Sequence, residues 1–317
     1  MLAVYLENGA VSTRHMPVPE RPKGFALLRL LLGGICNTDL ELQRGYYGFS
    51  GIPGHEFIAE VLDADEPNLV GKRVVGEINL GCGDCPWCQR GNRRHCPNRT
   101  VLGIKGHAGA FQEFFTLPER NLHAVPDGVS DRHAVFTEPL AAARQILDQV
   151  AMEPGRPIAV LGDGKLGLLI ALVLRAEGYD VHQYGHHSEK LQISADAGVV
   201  TRLNPEIAPP ASYSRVVDAT GNPEGLRAAV AMVEPCGTII LKSTIHGPVP
   251  IDSAPVIVNE VVLVGSRCGR MEAALPLLER GLIPADKLIA GEYSLRDAAD
   301  AFARAATPGV LKILLRP

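Results

Sequence analysis

No surplus of basic charge runs through this sequence. Its 317 residues carry a formal net charge of −4, and no long block of one sign interrupts the mixture. That argues against a nucleic-acid or membrane-surface partner, because such partners select basic patches. No uninterrupted apolar run reaches the ~20 residues of a membrane-spanning helix. The longest candidate, Leu166 to Leu174, stops well short. The opening run, MLAVYLENGAVSTRHMPVPE, lacks the basic-then-apolar layout of a signal peptide. A cytoplasmic location is therefore expected, where thiols stay reduced and clustered cysteines read as metal or catalytic sites. Internal repeats and low-complexity segments are missing too. What remains is a chain long enough for about two domains. It is 46% apolar, enough for ordinary buried cores.

The seven cysteines are unevenly spread. Four of them, Cys82, Cys85, Cys88 and Cys96, fall within fifteen residues in the stretch GCGDCPWCQRGNRRHC. Two successive two-residue gaps bring three thiolates round one point, and a seven-residue gap returns the fourth. Four sulfurs with no open position describe a closed tetrahedral site, the structural kind of zinc. Gly81, Gly83, Gly91 and Pro86 suit the tight backbone of such a loop. The rival readings are a chance or disulfide-bonded cluster and an iron–sulfur site.

Texture changes along the chain. Up to about residue 135 it is rich in Gly, Pro and short alternating apolar runs, as in Phe25 to Leu32, which reads as a β-rich domain. From about Glu138 strand and helix alternate. Strand candidates are Ile158–Leu161, Asp180–Tyr184, Arg215–Asp218, Thr238–Leu241 and Val261–Val264, with a helical run over Leu168–Ala176 and another over Pro223–Val233. This alternation predicts an α/β domain, a doubly wound parallel sheet with helices on both faces. The turn Gly162-Asp-Gly164-Lys165-Leu166-Gly167 follows the first strand and opens a helix. Its glycines permit the tight turn, the approach of a pyrophosphate and close helix–strand packing. The helix N-terminus offers free N–H groups to the phosphates.

The end of the second strand bears on the cofactor. An acid there would hold the adenosine ribose and favour NAD. The sequence instead reads Gly185-His186-His187-Ser188, with Lys190 close behind. Gly185 leaves room, and His186, His187 and Lys190 suit a 2′-phosphate, so NADP(H) is expected over NAD(H). A solvated loop with two histidines is the plainer alternative. A second metal-capable set lies outside the cysteine loop, in Cys36-Asn-Thr-Asp39, Gly54-His55-Glu56 and Glu138-Pro139. Singly each is unremarkable. Together, the Cys36 thiolate, His55 imidazole and Glu138 carboxylate would form a three-ligand zinc site with one open position, the catalytic arrangement.

On these motifs, with Gly109-Ala-Phe-Gln-Glu-Phe-Phe115 and Asp218-Ala-Thr220-Gly221, the chain resembles the zinc-containing medium-chain dehydrogenase/reductase (alcohol dehydrogenase-like) superfamily. With Glu138 as third ligand it is most similar to the sorbitol, threonine and glucose dehydrogenase branch. The resemblance implies a GroES-like β-rich catalytic domain over 1–137 and 268–317, with a structural zinc lobe at 81–97. A Rossmann domain would cover 138–267. It also implies zinc in the four-cysteine loop rather than iron and sulfur, hence two zinc ions per chain. A small-molecule alcohol would exchange a hydride with NAD(P). Thr38 would take the alcohol proton, Asp39 would orient His55, Glu56 would stand beside the metal and Thr220 would meet the cofactor. Members associate as homodimers or homotetramers through Rossmann edge strands, here expected at Val256–Val264. Departures are Asn37, where relatives carry a base, and Glu41, where some carry a relay histidine. Arg267 and Cys268 take no assigned role. A zinc-free reductase and a non-enzymatic nucleotide-binding or structural protein are the competing classes, and the retained Cys36, His55 and Glu138 speak against both.

Overall fold

A computed structural model describes residues 1–203, 210–243 and 249–317. The chain divides into two units. The first holds Met1–Glu138, Ala274–Arg280 and Ala285–Pro317; the second holds Pro139–Ala273 and Gly281–Pro284.

The first unit is built on a seven-stranded sheet whose spine is Phe25–Gly34. Ala26, Leu28, Leu30 and Leu32 alternate along this strand and are all buried, as a period of two requires. Glu56–Asp63 pairs antiparallel with it on one side, and Lys312–Arg316 and Phe114–Pro118 also pair with it. The register sets Gly34 opposite both Glu56 and Leu314. Three strand ends therefore meet near one point. Just beyond them lie Cys36, the N-cap of the helix Asn37–Gln43, and His55, the residue before the second strand. Gly34 leaves the Glu56 and Lys312 side chains their place. A Cβ would stand 2.7 Å from Glu56 Oε2 and 3.3 Å from Lys312 Cδ. A separate three-stranded sheet, from Asn79–Leu80, Thr100–Leu102 and Gly106–His107, brackets the cysteine loop.

The second unit is a six-stranded, wholly parallel sheet. Its spatial order is Val200–Leu203, Val181–Gly185, Ile158–Leu161, Tyr213–Asp218, Val233–Leu241 and Val262–Gly265. Numbered by chain order this is 3-2-1-4-5-6, the doubly wound dinucleotide-binding arrangement. The central strand Ile158–Leu161 reads as a continuous apolar run, buried at every position because both faces are covered. The sequence pattern does not mark Val200–Leu203, whose residues are polar or half-exposed at the sheet margin. The expected edge strand Val256–Val264 needs correction. Ser253–Val258 is helix, and only Val262–Gly265 pairs with the sheet. A β-branched apolar run has weak intrinsic preference, and here Asp252 caps a helix by accepting from Ala254 N–H. No helix among the described residues is long and apolar enough to cross a membrane.

Candidate metal centres and dinucleotide cavity

The cysteine loop folds so that one sulfur from each of Cys82, Cys85, Cys88 and Cys96 lies within 4.8 Å of the others. Sulfur–sulfur distances of 3.5 Å (Cys96–Cys82), 3.7 Å (Cys85–Cys96) and 4.0 Å (Cys82–Cys88) follow. Four sulfurs at the usual ≈ 2.3 Å from a tetrahedral zinc would stand ~3.8 Å apart, so the set fits that ion. Cys85 caps the short helix Pro86–Gln89, which carries Cys88 inward. Gly81 gives the loop its closeness, since a Cβ there would be 2.9 Å from Cys88 Sγ.

The second cluster is nearly closed to solvent. Asp39, His55 and Glu56 are buried, and ligand atoms of Cys36, His55 and Glu56 lie within 4.8 Å of one another. Asp39 ties the two chain segments together. Its Oδ2 accepts from Cys36 N–H at 2.9 Å and its Oδ1 from Gly54 N–H at 3.1 Å. Asp39 Oδ1 also stands 3.4 Å from His55 Nδ1, an ion-pair distance without hydrogen-bond geometry, so that nitrogen is buried with no hydrogen-bond partner. Burial pulls the His55 pKa down, but the charges of Asp39 and Cys36 outweigh it and hold the imidazole well above its ordinary value. Thr38 Oγ1 lies 3.7 Å from Cys36 Sγ.

Glu56 is in this set but is also claimed by Lys312, a partner that sequence reasoning missed. Lys312 Nζ donates to the Glu56 carboxylate and, at 3.4 Å, to Ile35 O. The lysine sits within the apolar run Lys-Ile-Leu-Leu, the only sign that it points inward. Glu138, the expected third ligand, falls outside the group gathered within 4.8 Å. It opens the helix Thr137–Gln149, and desolvation pushes its pKa up to about 7. The charges of His55 and Lys312 oppose that rise, while Glu56 and Glu77 add to it. Glu41 is engaged by Arg44 at 2.6 Å, on the exposed side of its helix.

In the second unit a cavity of about 700 Å³ opens over the glycine-rich turn. Gly162, Asp163, Gly164, Gly185, His186 and Thr220 are among its lining residues. Gly162 takes φ +114°, and a Cβ there would stand 2.7 Å from Ala219 O. A Cβ on Gly167 would lie 2.4 Å from Gly162 O, so the helix Lys165–Ala176 packs against its own turn as the motif requires. No side chain caps this helix, which leaves its first N–H groups for phosphate oxygens. Thr220 donates to Asp218 Oδ1 at 2.8 Å. Lys165, Leu166, Gly167, His187 and Lys190 do not line the cavity, and Lys190 is buried.

The expectation that no carboxylate stands at the end of the second strand is corrected. Asp163 reaches across from the turn, and its Oδ2 accepts from His186 N–H and His187 N–H, both at 2.7 Å. His187 Nδ1 lies 3.0 Å from the same oxygen. Burial would raise the Asp163 pKa, but the donors of His187 and His186 bring it below the usual carboxylate value.

Residues 22–127 match the alcohol dehydrogenase GroES-like domain. The chain is 31% identical to the L-threonine 3-dehydrogenase of Streptomyces avermitilis over 95% of its own length and 94% of that protein's. A zinc-binding dehydrogenase of Sinorhizobium meliloti 1021, solved with NADP, superposes with a TM-score of 0.91 at 27% identity, covering 100% of this chain and 99% of that one. The alcohol dehydrogenase rspB of Escherichia coli CFT073, solved with NADH, gives 0.90 at 25% identity and the same coverage.

Proposed function

The chain belongs to the zinc-type medium-chain dehydrogenase superfamily, an oxidoreductase acting on CH–OH groups, and from that premise we propose how its own residues divide the work. The observation that carries the reading is the buried meeting of Cys36 and His55, with Asp39 behind them. A thiolate, an imidazole and a nearby carboxylate are the donors of an open, catalytic zinc site. Zinc held there supplies Lewis acidity to the substrate oxygen. Cys36, His55 and Glu138 are the ligands in this reading. Glu56 is already neutralised by Lys312, whereas Glu138 is the carboxylate that burial leaves most in want of a cation.

Asp39 fixes the Cys36 backbone and faces His55 Nδ1, so it orients both donors. Thr38 Oγ1 would accept the proton of the substrate hydroxyl as it passes its own on toward solvent, and a bound nicotinamide would supply the hydride acceptor. Glu56, beside His55, is positioned by Lys312 to balance charge at the site. The loop Cys82, Cys85, Cys88 and Cys96 holds a second zinc and gives two per chain. The substrate is an alcohol of the secondary, polyol, sugar or hydroxy amino acid class. The expected preference for NADP(H) over NAD(H) loses its ground with Asp163 beside Gly185. The reading here is a nicotinamide dinucleotide in the 700 Å³ cavity, with its pyrophosphate over Gly162–Gly167.

Association through the sheet margin is part of the proposal. Val262–Gly265 is the outermost strand, and Ile257, Val258, Val262 and Leu263 are exposed beside it. That surface suits a homodimer, or a homotetramer built from one. A cysteine cluster gathered as a metal site rather than as disulfides accords with a cytoplasmic, reducing location. The test replaces Cys36 by Ser, His55 by Ala and Glu138 by Ala, one at a time. Each should lose one zinc by elemental analysis and at least ~100-fold in turnover on an alcohol found by screening polyols, aldoses and L-threonine. Parental zinc and turnover in all three would place the chemistry elsewhere.

A further inference from the structure

We infer that Asp163, acting from the glycine-rich turn, takes over the discrimination of the adenosine ribose and selects NAD(H) over NADP(H). This rests on the reading of the cavity as a nicotinamide-dinucleotide site. Residue 185 ends the second strand, the place from which an acidic side chain ordinarily reaches the ribose. Here that residue is glycine, and the space is already filled. A Cβ on Gly185 would stand 2.5 Å from Asp163 Oδ2, 2.6 Å from its Cβ and 2.7 Å from its Cγ. The carboxylate has the position of a strand-end acid while its backbone belongs to another segment. The two residues are complementary, since any side chain at 185 would evict Asp163.

The donors around Asp163 carry the argument further. Two successive backbone N–H groups, of His186 and His187, converge on Oδ2 together with His187 Nδ1. Consecutive main-chain donors of this kind form an anion-binding concavity. A 2′-phosphate would need those same donors, and the protein's own carboxylate already engages them. The phosphate would bring about two further negative charges against Asp163. The aspartate is 7% exposed, so solvent and salt screen that repulsion little. A ribose diol meets the opposite situation. Oδ1 takes part in none of the three contacts and is left to accept a hydroxyl, and Asp163 lines the cavity. His186 and His187, which in sequence suit a 2′-phosphate, instead hold the residue that repels one.

The experiment titrates the zinc-loaded, substrate-free protein with NADH and with NADPH, following nicotinamide fluorescence. AMP and adenosine 2′,5′-bisphosphate are then compared as displacers of bound NADH. NADH should bind at least ~10-fold more tightly than NADPH, a difference of about 1.4 kcal/mol, and AMP should displace better than the bisphosphate. Asp163→Asn keeps the shape and removes the charge. It should shift the NADH/NADPH ratio ~10-fold or more toward NADPH. A role confined to holding the 186–187 turn would change melting and leave that ratio alone. NADPH binding as tightly as NADH to the parent protein overturns the inference. So does a folded Asp163→Asn variant with the parental ratio. If that variant does not fold, the parental ratio and the displacement order decide. Binding of neither dinucleotide at millimolar concentration would remove the cavity reading itself and the inference with it, a result distinct from a wrong preference.

Discussion

Replacing Lys312 by Met exposes how far the second cluster depends on a single cation. Lys312 and Glu56 are 3% and 1% exposed by side chain, so neither charge has water to fall back on. Removing one member of such a pair leaves the other buried and uncompensated, at a cost of about 3–5 kcal/mol. In a folding unit of this size each kcal/mol lowers the melting temperature by roughly 2–4 °C, so Lys312→Met should melt ~6–20 °C below the parent. The double variant Lys312→Met, Glu56→Gln should recover most of the loss, because a neutral amide beside a thioether carries no buried charge. Gly34→Ala should mimic the single variant, since its Cβ would come within 2.7 Å of Glu56 Oε2 and push the carboxylate off the lysine. Calorimetry on the parent, Lys312→Met, Glu56→Gln and the double variant reads the cycle directly. A Lys312→Met protein within ~1 kcal/mol of the parent, or a double variant no more stable than the single, would refute the buried-pair account.

Cys85→Ser should drop elemental zinc by one ion per chain and lower the melting temperature, because binding energy at a closed site is folding energy. Full zinc with parental melting, or iron in the purified protein, would count against it. Asp163 has a depressed pKa, so its stabilisation is complete above the ordinary aspartate value of 3.8 and is lost as pH falls through the lower folded value. The stability gap between the parent and Asp163→Asn should therefore shrink as melts are taken from pH 7 toward pH 3. A gap that widens on acidification contradicts that assignment. If the proposed association through the sheet margin holds, Ile257→Glu with Val262→Glu should give a monomer in light scattering where the parent is larger, since both residues are at least 50% exposed there. An unchanged assembly would move the interface elsewhere.

Legibility in the sequence tracked how local each feature is. The cysteine loop and the glycine-rich turn are short contiguous motifs, and their spacing alone foretold the sulfur cluster and the strand–turn–helix. The parallel sheet was visible because the apolar run Ile158–Leu161 leads into the glycine-rich turn and strands and helices alternate after it. The margins were harder. Val200–Leu203 carries no apolar run, and 256–264 carries one whose first third is helix. The charged partners were hardest of all. Asp163 meets His186 from 23 residues away, and Lys312 meets Glu56 from 256 residues away. Both contacts depend on how segments are brought together, which no local pattern records. The glycine motif says nothing of Asp163, whose carboxylate fills the space beside Gly185.

The strand Lys312–Arg316 lies inside the first unit's sheet, between Phe25–Gly34 and Ile289–Ser294. On a translating ribosome, residues 25–63 emerge long before 312 does. Until then the growing sheet has an unfilled inner place, and Glu56 has no counter-charge. Residues 139–273 form a nearly continuous block and can close their own sheet first. Synthesis thus runs from N to C while completion does not. A pause or truncation before residue 312 leaves the first unit's sheet open at Gly33 and Gly34, the end of Phe25–Gly34 that Phe114–Pro118 does not cover.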